Sequence, residues 1–267
     1  MAEQPWSFEG RVALVTGAAQ GVGEAVARLM AARGAAGLAL VDRDAAGLAR
    51  VAGELAAGGC PAEPIVADLA EVAACLTAVD RATGRFGALH CLANVAGLTD
   101  RGTINDTSPE LFDRAMAVNA RAPFFLTQRA LPPMRRAGGG TVVNVISITV
   151  HGGAPYLAPY VASKGALAAM TKNIAAAVAR DRVRVNGLNL GWTLTPNERR
   201  IQREAHGQAE DWPEVAARAL PFGRLLTPED AARAICFLAS DESGLMTGAL
   251  VDFDQQVIGA YPAARDD

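Results

Sequence analysis

An excess of positive charge is the first thing this chain lacks. Lys and Arg total 25 against 28 Asp and Glu, a formal net charge of −3, which leaves no basic field for nucleic acid. Cysteine is sparse. Cys60, Cys75, Cys91 and Cys236 show no metal-ligand or redox spacing, so no metal site is expected and buried free thiols are. No apolar run is long and pure enough to span a bilayer. Residues 1–10 are polar, with Pro5 and Glu9, and show no signal-peptide pattern, so a reducing cytoplasm is the expected compartment. Repeats and low-complexity linkers are absent. What is there, 267 residues of which 51% are hydrophobic, suits one α/β domain with a sizeable core.

Short apolar runs alternate with helical patterns. Strands are expected at 12–16, 37–41, 63–67, 89–94, 141–146, 183–188 and 249–253, and helices roughly at 22–33, 44–57, 70–84, 108–137, 157–180 and 228–239. Ser108-Pro109-Glu110 and Thr227-Pro228-Glu229 each open a helix with a capping hydroxyl and an early proline. Such alternation argues a parallel sheet covered by helices on both faces. The stretch 193–220 breaks the rhythm. It is polar and charged, contains Pro196, Trp212 and Pro213, and follows a strand C-terminus, where ligands bind in such sheets.

Two motifs carry chemistry. Tyr160 and Lys164 are four residues apart in a helical stretch, so both lie on one face. A phenol with a pKa near ~10 is a poor base; a neighbouring ammonium favours the phenolate, and a tuned Tyr exchanges a proton with an alcohol or carbonyl. Near the N-terminus, Thr16-Gly17-Ala18-Ala19-Gln20-Gly21-Val22-Gly23 follows an apolar strand and opens an amphipathic helix. That arrangement brings a pyrophosphate onto helix N-terminal N–H groups. Gly17 permits the turn, Gly21 lets the backbone approach phosphate, and Gly23 allows close helix–strand packing.

Together, Thr-Gly-x-x-x-Gly-x-Gly and a distal Tyr-x-x-x-Lys resemble the short-chain dehydrogenase/reductase family, and the match runs from about Gly10 to Asp252. Asn94-Val95-Ala96-Gly97 is similar to the family's Asn-Asn-Ala-Gly, with Val95 for the second Asn. Asn119 matches the family's helix Asn, Ser147 lies thirteen residues before Tyr160 as in the family, and Leu190-Gly191 stands where the family has Pro-Gly. The resemblance implies a single-domain Rossmann fold over 1–267, a doubly wound parallel seven-stranded sheet, with a substrate lid at about 193–220 and a tail at about 253–267. It implies a catalytic set of Asn119, Ser147, Tyr160 and Lys164: Tyr160 as general base, Lys164 on the nicotinamide ribose, Ser147 on the substrate oxygen, Asn119 anchoring a water. It also implies a nicotinamide dinucleotide against Gly17, Gln20, Gly21, Val22, Gly23, Asn94, Ala96, Gly97, Gly191, Thr193 and Thr195, with Asp68-Leu69 at the adenine.

Charge decides which dinucleotide is expected. Asp42 ends the second strand, where an acid accepts from the ribose 2′-OH and repels a 2′-phosphate. Arg43 is the opposing signal, but with Asp42 present and Ala19 and Gln20 neutral, NAD is expected. Candidate substrate contacts are Ser147, Thr149, His151, Leu157 and Trp192, with Asn197, Arg199, Arg200 and Arg203 from the lid. Polar reach of this kind suits a sugar, a polyol or an anionic sugar acid. The expected activity is therefore an NAD-dependent dehydrogenase of a secondary alcohol; the alternatives are a biosynthetic carbonyl reductase and a non-catalytic cofactor-binding regulator. Apolar residues beyond one core stripe, among them Phe124, Phe125, Leu167 and Met170, point with the tail to a homotetramer.

Overall fold

The structure, a computed structural model, describes residues 6–259. Seven strands form one parallel sheet: β1 (Val12–Thr16), β2 (Gly37–Asp42), β3 (Ala62–Val66), β4 (Cys91–Asn94), β5 (Gly140–Val145), β6 (Val183–Leu190) and β7 (Leu250–Phe253). Their order is β3-β2-β1-β4-β5-β6-β7. β1 pairs with β2 on one side, Val12 opposite Gly37, and with β4 on the other, Ala13 opposite Cys91. The chain thus reverses its winding at β1 and β4, and a crevice opens beyond the C-terminal ends of those strands.

Helices α1 (Gly21–Ala32), α2 (Ala45–Ala57) and, near the end of the chain, Pro228–Ala239 cover one face, around Met30, Leu48, Val51 and Ile235. Helix α3 (Val72–Phe86) and the later helices 122–136 and 158–178 cover the other, around Val79, Leu126, Met134 and Val178. Each fully buried side chain of this size contributes about 1.5–3 kcal/mol. All four cysteines are free and buried in these layers. Burial pushes the Cys91 thiol up to about 11 and the Cys236 thiol up to about 12, which disfavours the reactive thiolate.

The expected helix over 108–137 is three pieces. Helix α4 (Pro109–Met116) starts with Ser108 Oγ accepting from Leu111 N at 3.2 Å. A π-helical turn, Ala117–Arg121, follows, and then α5 (Ala122–Arg136). Pro123 is the cause within the sequence: it has no N–H to give to the Asn119 carbonyl, so the regular ladder fails there. Helix α6 (Ala158–Val178) carries Tyr160 and Lys164. β6 runs two residues beyond expectation because β7 pairs with it as far as Leu190 opposite Phe253.

The irregular stretch after β6 contains two further helices, α7 (Pro196–Glu204) and α8 (Trp212–Ala217), before α9 (Pro228–Ala239). Thr227 and Asp230 cap α9 reciprocally. Leu167 corrects one expectation: it is buried beside Ile146 and Ala168, not surplus on the surface. Part of the expected tail, 260–267, lies outside the described residues; just before it Gln255 Nε2 donates to Arg224 O at 2.7 Å, and residues 256–259 are exposed. Among the described residues no helix is long and apolar enough to cross a membrane.

Candidate active site

A cleft of about 720 Å³ opens at the switch point between β1 and β4. Its floor is the glycine turn. Gly17 and Gly21 hold φ of 68° and 59°, a region L side chains avoid. A Cβ at Gly17 would meet Ala96 Cα at 3.0 Å, and one at Gly23 would lie 2.1 Å from Gly17 O. Thr16 Oγ1 accepts from Val95 N and Ala96 N at 2.9 and 3.0 Å, locking this turn to the loop after β4. The N-terminus of α1 therefore faces the cleft, with Thr195 beside Gly21, a cradle fitted to phosphate.

Of the residues assigned to a dinucleotide, all but Asn94 line the cleft. Asn94 is a correction: it is buried and donates to Asn144 Oδ1 at 2.8 Å, tying β4 to β5 instead. The Asp42 carboxylate is fixed at the end of β2, accepting from Ala19 N at 3.2 Å and Asp44 N at 3.1 Å. Arg43 beside it is exposed. Asp68 accepts from Ala70 N at 2.9 Å, and that bond, ahead of its partner Arg114, holds its carboxyl below the usual range. Thr195 caps α7, accepting from Glu198 N at 3.1 Å, and lies against Gly21. Thr193 Oγ1 donates to Gly191 O at 3.0 Å.

Ser147, Tyr160 and Lys164 converge on the cleft from β5 and α6. Lys164 Nζ is buried, donates to Val145 O at 2.7 Å and lies 5.6 Å from the centre of the Tyr160 ring. Burial pushes its ammonium down to about 8. The Tyr160 phenol is raised, chiefly by burial; the adjacent Ser147 hydroxyl opposes that, Glu198 adds to it and Arg101 opposes it. Within the protein alone, desolvation outweighs these polar partners. Asn119 sits behind the wall, fully buried. It accepts from Leu98 N at 2.8 Å and donates to Leu98 O and Ser163 Oγ, both at 2.9 Å. Ser163 Oγ donates in turn to Tyr160 O at 2.7 Å, so Asn119 ties the loop after β4 to the turn that carries Tyr160.

On the substrate side, Thr149, Leu157, Trp192, Asn197 and Arg200 line the cleft. His151, Arg199 and Arg203 do not, and each is a correction. His151 Nε2 pairs with Asp252 Oδ1 of β7 at 2.9 Å and does not line the cleft. Helical period separates Arg199 and Arg203, exposed on the outer face of α7, from Glu198, Ile201 and Gln202, which face inward. Arg101 was not foreseen. It reaches in from the loop after β4, donating to His206 Nε2 at 3.0 Å and Thr99 O at 2.9 Å, and pairs with Glu198 at 3.5 Å. Tyr156 closes the group, 5.6 Å from the Arg101 guanidinium and 5.1 Å from the His206 ring.

Comparison with known proteins agrees with this geometry. Residues 17–255 match a family model described as enoyl-(acyl carrier protein) reductase. 2-(S)-hydroxypropyl-CoM dehydrogenase 3 of Xanthobacter autotrophicus is 36% identical over 92% of this chain and 96% of its own length. Cis-4-hydroxycyclohexanecarboxylate dehydrogenase of Sinomonas cyclohexanicum is 33% identical over 96% and 98%. Among solved structures, L-sorbose reductase of Gluconobacter frateurii, complexed with NADPH and L-sorbose, superposes with a TM-score of 0.91 at 27% identity, over 97% of this chain and 100% of the other.

Proposed function

The chain belongs to the short-chain dehydrogenase/reductase family, oxidoreductases of CH–OH groups with a nicotinamide cofactor, and from that premise we propose that it is an NAD-dependent dehydrogenase of a secondary alcohol, a sugar, polyol or related hydroxy compound. The observation that carries this is the convergence of Ser147, Tyr160 and Lys164 beside the glycine cradle. When bound, the nicotinamide supplies the hydride acceptor in oxidation and the donor in reduction. Gly17, Gly21, Gly23 and the N-terminus of α1 hold the pyrophosphate, and Asp42 takes the adenosine ribose. Ser147 holds the substrate oxygen in line. Tyr160 removes the hydroxyl proton in oxidation and returns it in reduction, and Lys164 steadies the phenolate with its charge. Asn119 positions the Tyr160 turn. Residues 193–220 act as the lid, with Thr195 coupling its first helix to the cofactor cradle.

A second reading is the same chemistry run backward, carbonyl reduction, in which the Tyr160 phenol, protonated near neutral pH as phenols are, is the proton donor.

Cofactor choice rests on Asp42. Replacing Asp42 by Ala removes the ribose acceptor and the charge that repels a 2′-phosphate, and leaves Arg43 free to meet it. NADP affinity should rise relative to NAD by about tenfold, the scale of one charged contact. Side-by-side titration of both dinucleotides checks this; wild type binding NADP more tightly would reverse the assignment.

The assembly proposed is a homotetramer. Phe112 and Phe124 are exposed on α4 and α5, and Phe237 is exposed on α9; β7 is an edge strand. Faces of this kind are covered in oligomers. Light scattering at micromolar concentration should give four times the chain mass of 27.7 kDa, and a monomer would refute it.

A further inference from the structure

The substrate side of the cleft holds a charged pair that the catalytic set does not use. Arg101 and Glu198 are 17% and 13% exposed, far below surface ion pairs such as Arg129 and Asp80 at 50% and 51%. Glu198 Oε1 accepts from Trp192 Nε1 at 3.0 Å, Gln202 Nε2 at 2.8 Å and Arg101 at 3.5 Å. Its other oxygen, Oε2, has no hydrogen-bond partner among the described residues, and Glu198 lines the cleft. Arg101 is held on its remaining sides by Thr99 O and His206 Nε2. Both residues line the cleft that Ser147 and Tyr160 also line.

A carboxylate anchored through one oxygen and unpartnered on the other is a fixed acceptor. It suits a donor hydroxyl, which brings no charge of its own to upset the pair. An anionic group in the same place would meet Glu198 as well as Arg101, and would have to displace one from the other. We propose that Glu198 Oε2 takes a hydroxyl of the substrate other than the one oxidised, with Arg101 holding that carboxylate in place, so that the enzyme selects neutral polyhydroxylated substrates over hydroxy acids. This rests on the dehydrogenase activity proposed above and names its specificity residue. Glu198 binds substrate; Arg101 is a positioning residue acting through it. One relative is named for a hydroxycarboxylate, which makes the opposite preference the meaningful alternative.

The test compares kcat/KM for three compounds with wild type and Glu198→Gln: a neutral polyol or ketose, a hydroxy acid of similar size, and a plain secondary alcohol or its ketone. Both dinucleotides are supplied. Gln keeps an acceptor for Trp192 and Gln202 but loses the charge. Wild type should prefer the polyol to the acid. The variant should lose about 10–100-fold in kcat/KM for the polyol, the scale of one charged hydrogen bond, and change less than about threefold on the plain alcohol. Arg101→Lys, which keeps the charge without the fork, should lower the polyol rate in the same selective way. Equal losses on polyol and plain alcohol would show a lid defect and overturn the proposal. So would wild type preferring the acid, or Glu198→Gln improving the acid and sparing the polyol. Should Glu198→Gln fail to fold, the wild-type preference and Arg101→Lys decide the matter. Turnover of the plain alcohol by wild type keeps the dehydrogenase reading alive when the specificity claim fails; no turnover of any compound in either direction removes both.

Discussion

Phenylalanine at position 160 should cut kcat on the order of 10²–10⁴-fold, the range for a lost general acid–base group. The ring fills the same space and the glycine cradle is untouched, so dinucleotide affinity should stay near wild type. Steady-state rates and a binding titration on one preparation separate the two; a Tyr160→Phe protein with near wild-type kcat would end the mechanism. The pH profile of wild type carries the same argument. Because burial raises the phenol, the phenolate needed for oxidation is scarce at neutral pH and grows as pH rises. Oxidation should therefore accelerate into the alkaline range, while reduction, which needs the phenol, should decline there. Lys164 titrates at about 8, so above that pH its positive charge fades and the rise in oxidation should flatten.

Alanine at position 23 should be nearly as damaging by a different route. The new Cβ would lie 2.1 Å from Gly17 O and 2.5 Å from Gly17 C. Both are backbone atoms, so no rotamer change relieves the contact. The first turn of α1 must move off the glycine loop, and the phosphate cradle opens. A stability loss of about 1–3 kcal/mol is expected from overpacking, with dinucleotide affinity weakened about 10–100-fold. Gly53 is the control. It lies in α2 with nothing within 4 Å of an added Cβ, so Gly53→Ala should stabilise by about 0.5–1 kcal/mol. Chemical denaturation of both variants checks the pair; equal stability of the Gly23→Ala protein and wild type would reject the packing argument.

The fold was legible where one local rule decided the matter. β1 was read from Val12–Thr16 because a buried parallel strand is an unbroken apolar run, and α9 because Thr227-Pro228 announces its first turn. The limits of β6 were not legible, since its last two residues depend on pairing with β7, more than sixty residues downstream. On the cofactor side of the site, glycines and strand ends have fixed spacings, and of the residues read there only Asn94 does not line the cleft. Its side chain faces β5, which no spacing within its own motif reveals. On the substrate side, sequence reasoning weighed residue type without direction. Arg199 and Arg203 were counted as ligands although α7 turns them outward, and His151 although Asp252 engages it. Arg101 went unseen because its partners, Glu198 and His206, are about a hundred residues away. The π-helical turn does carry a signal in the sequence: Pro123, four residues after Asn119.

That turn sets the phase of everything after it. Each residue of a regular helix advances the face by about 100°, and a turn closed by i→i+5 bonds absorbs one residue without breaking the rod. α4 leans on α6, the carrier of Tyr160, whereas α5 leans on α3 at the flank of the sheet. A straight helix would have one stripe to serve both neighbours. The inserted residue lets a single rod present two stripes out of step with each other, one aimed at the chemistry and one at the scaffold. A one-residue deletion here would keep a sound helix and bring one of the two stripes out of register.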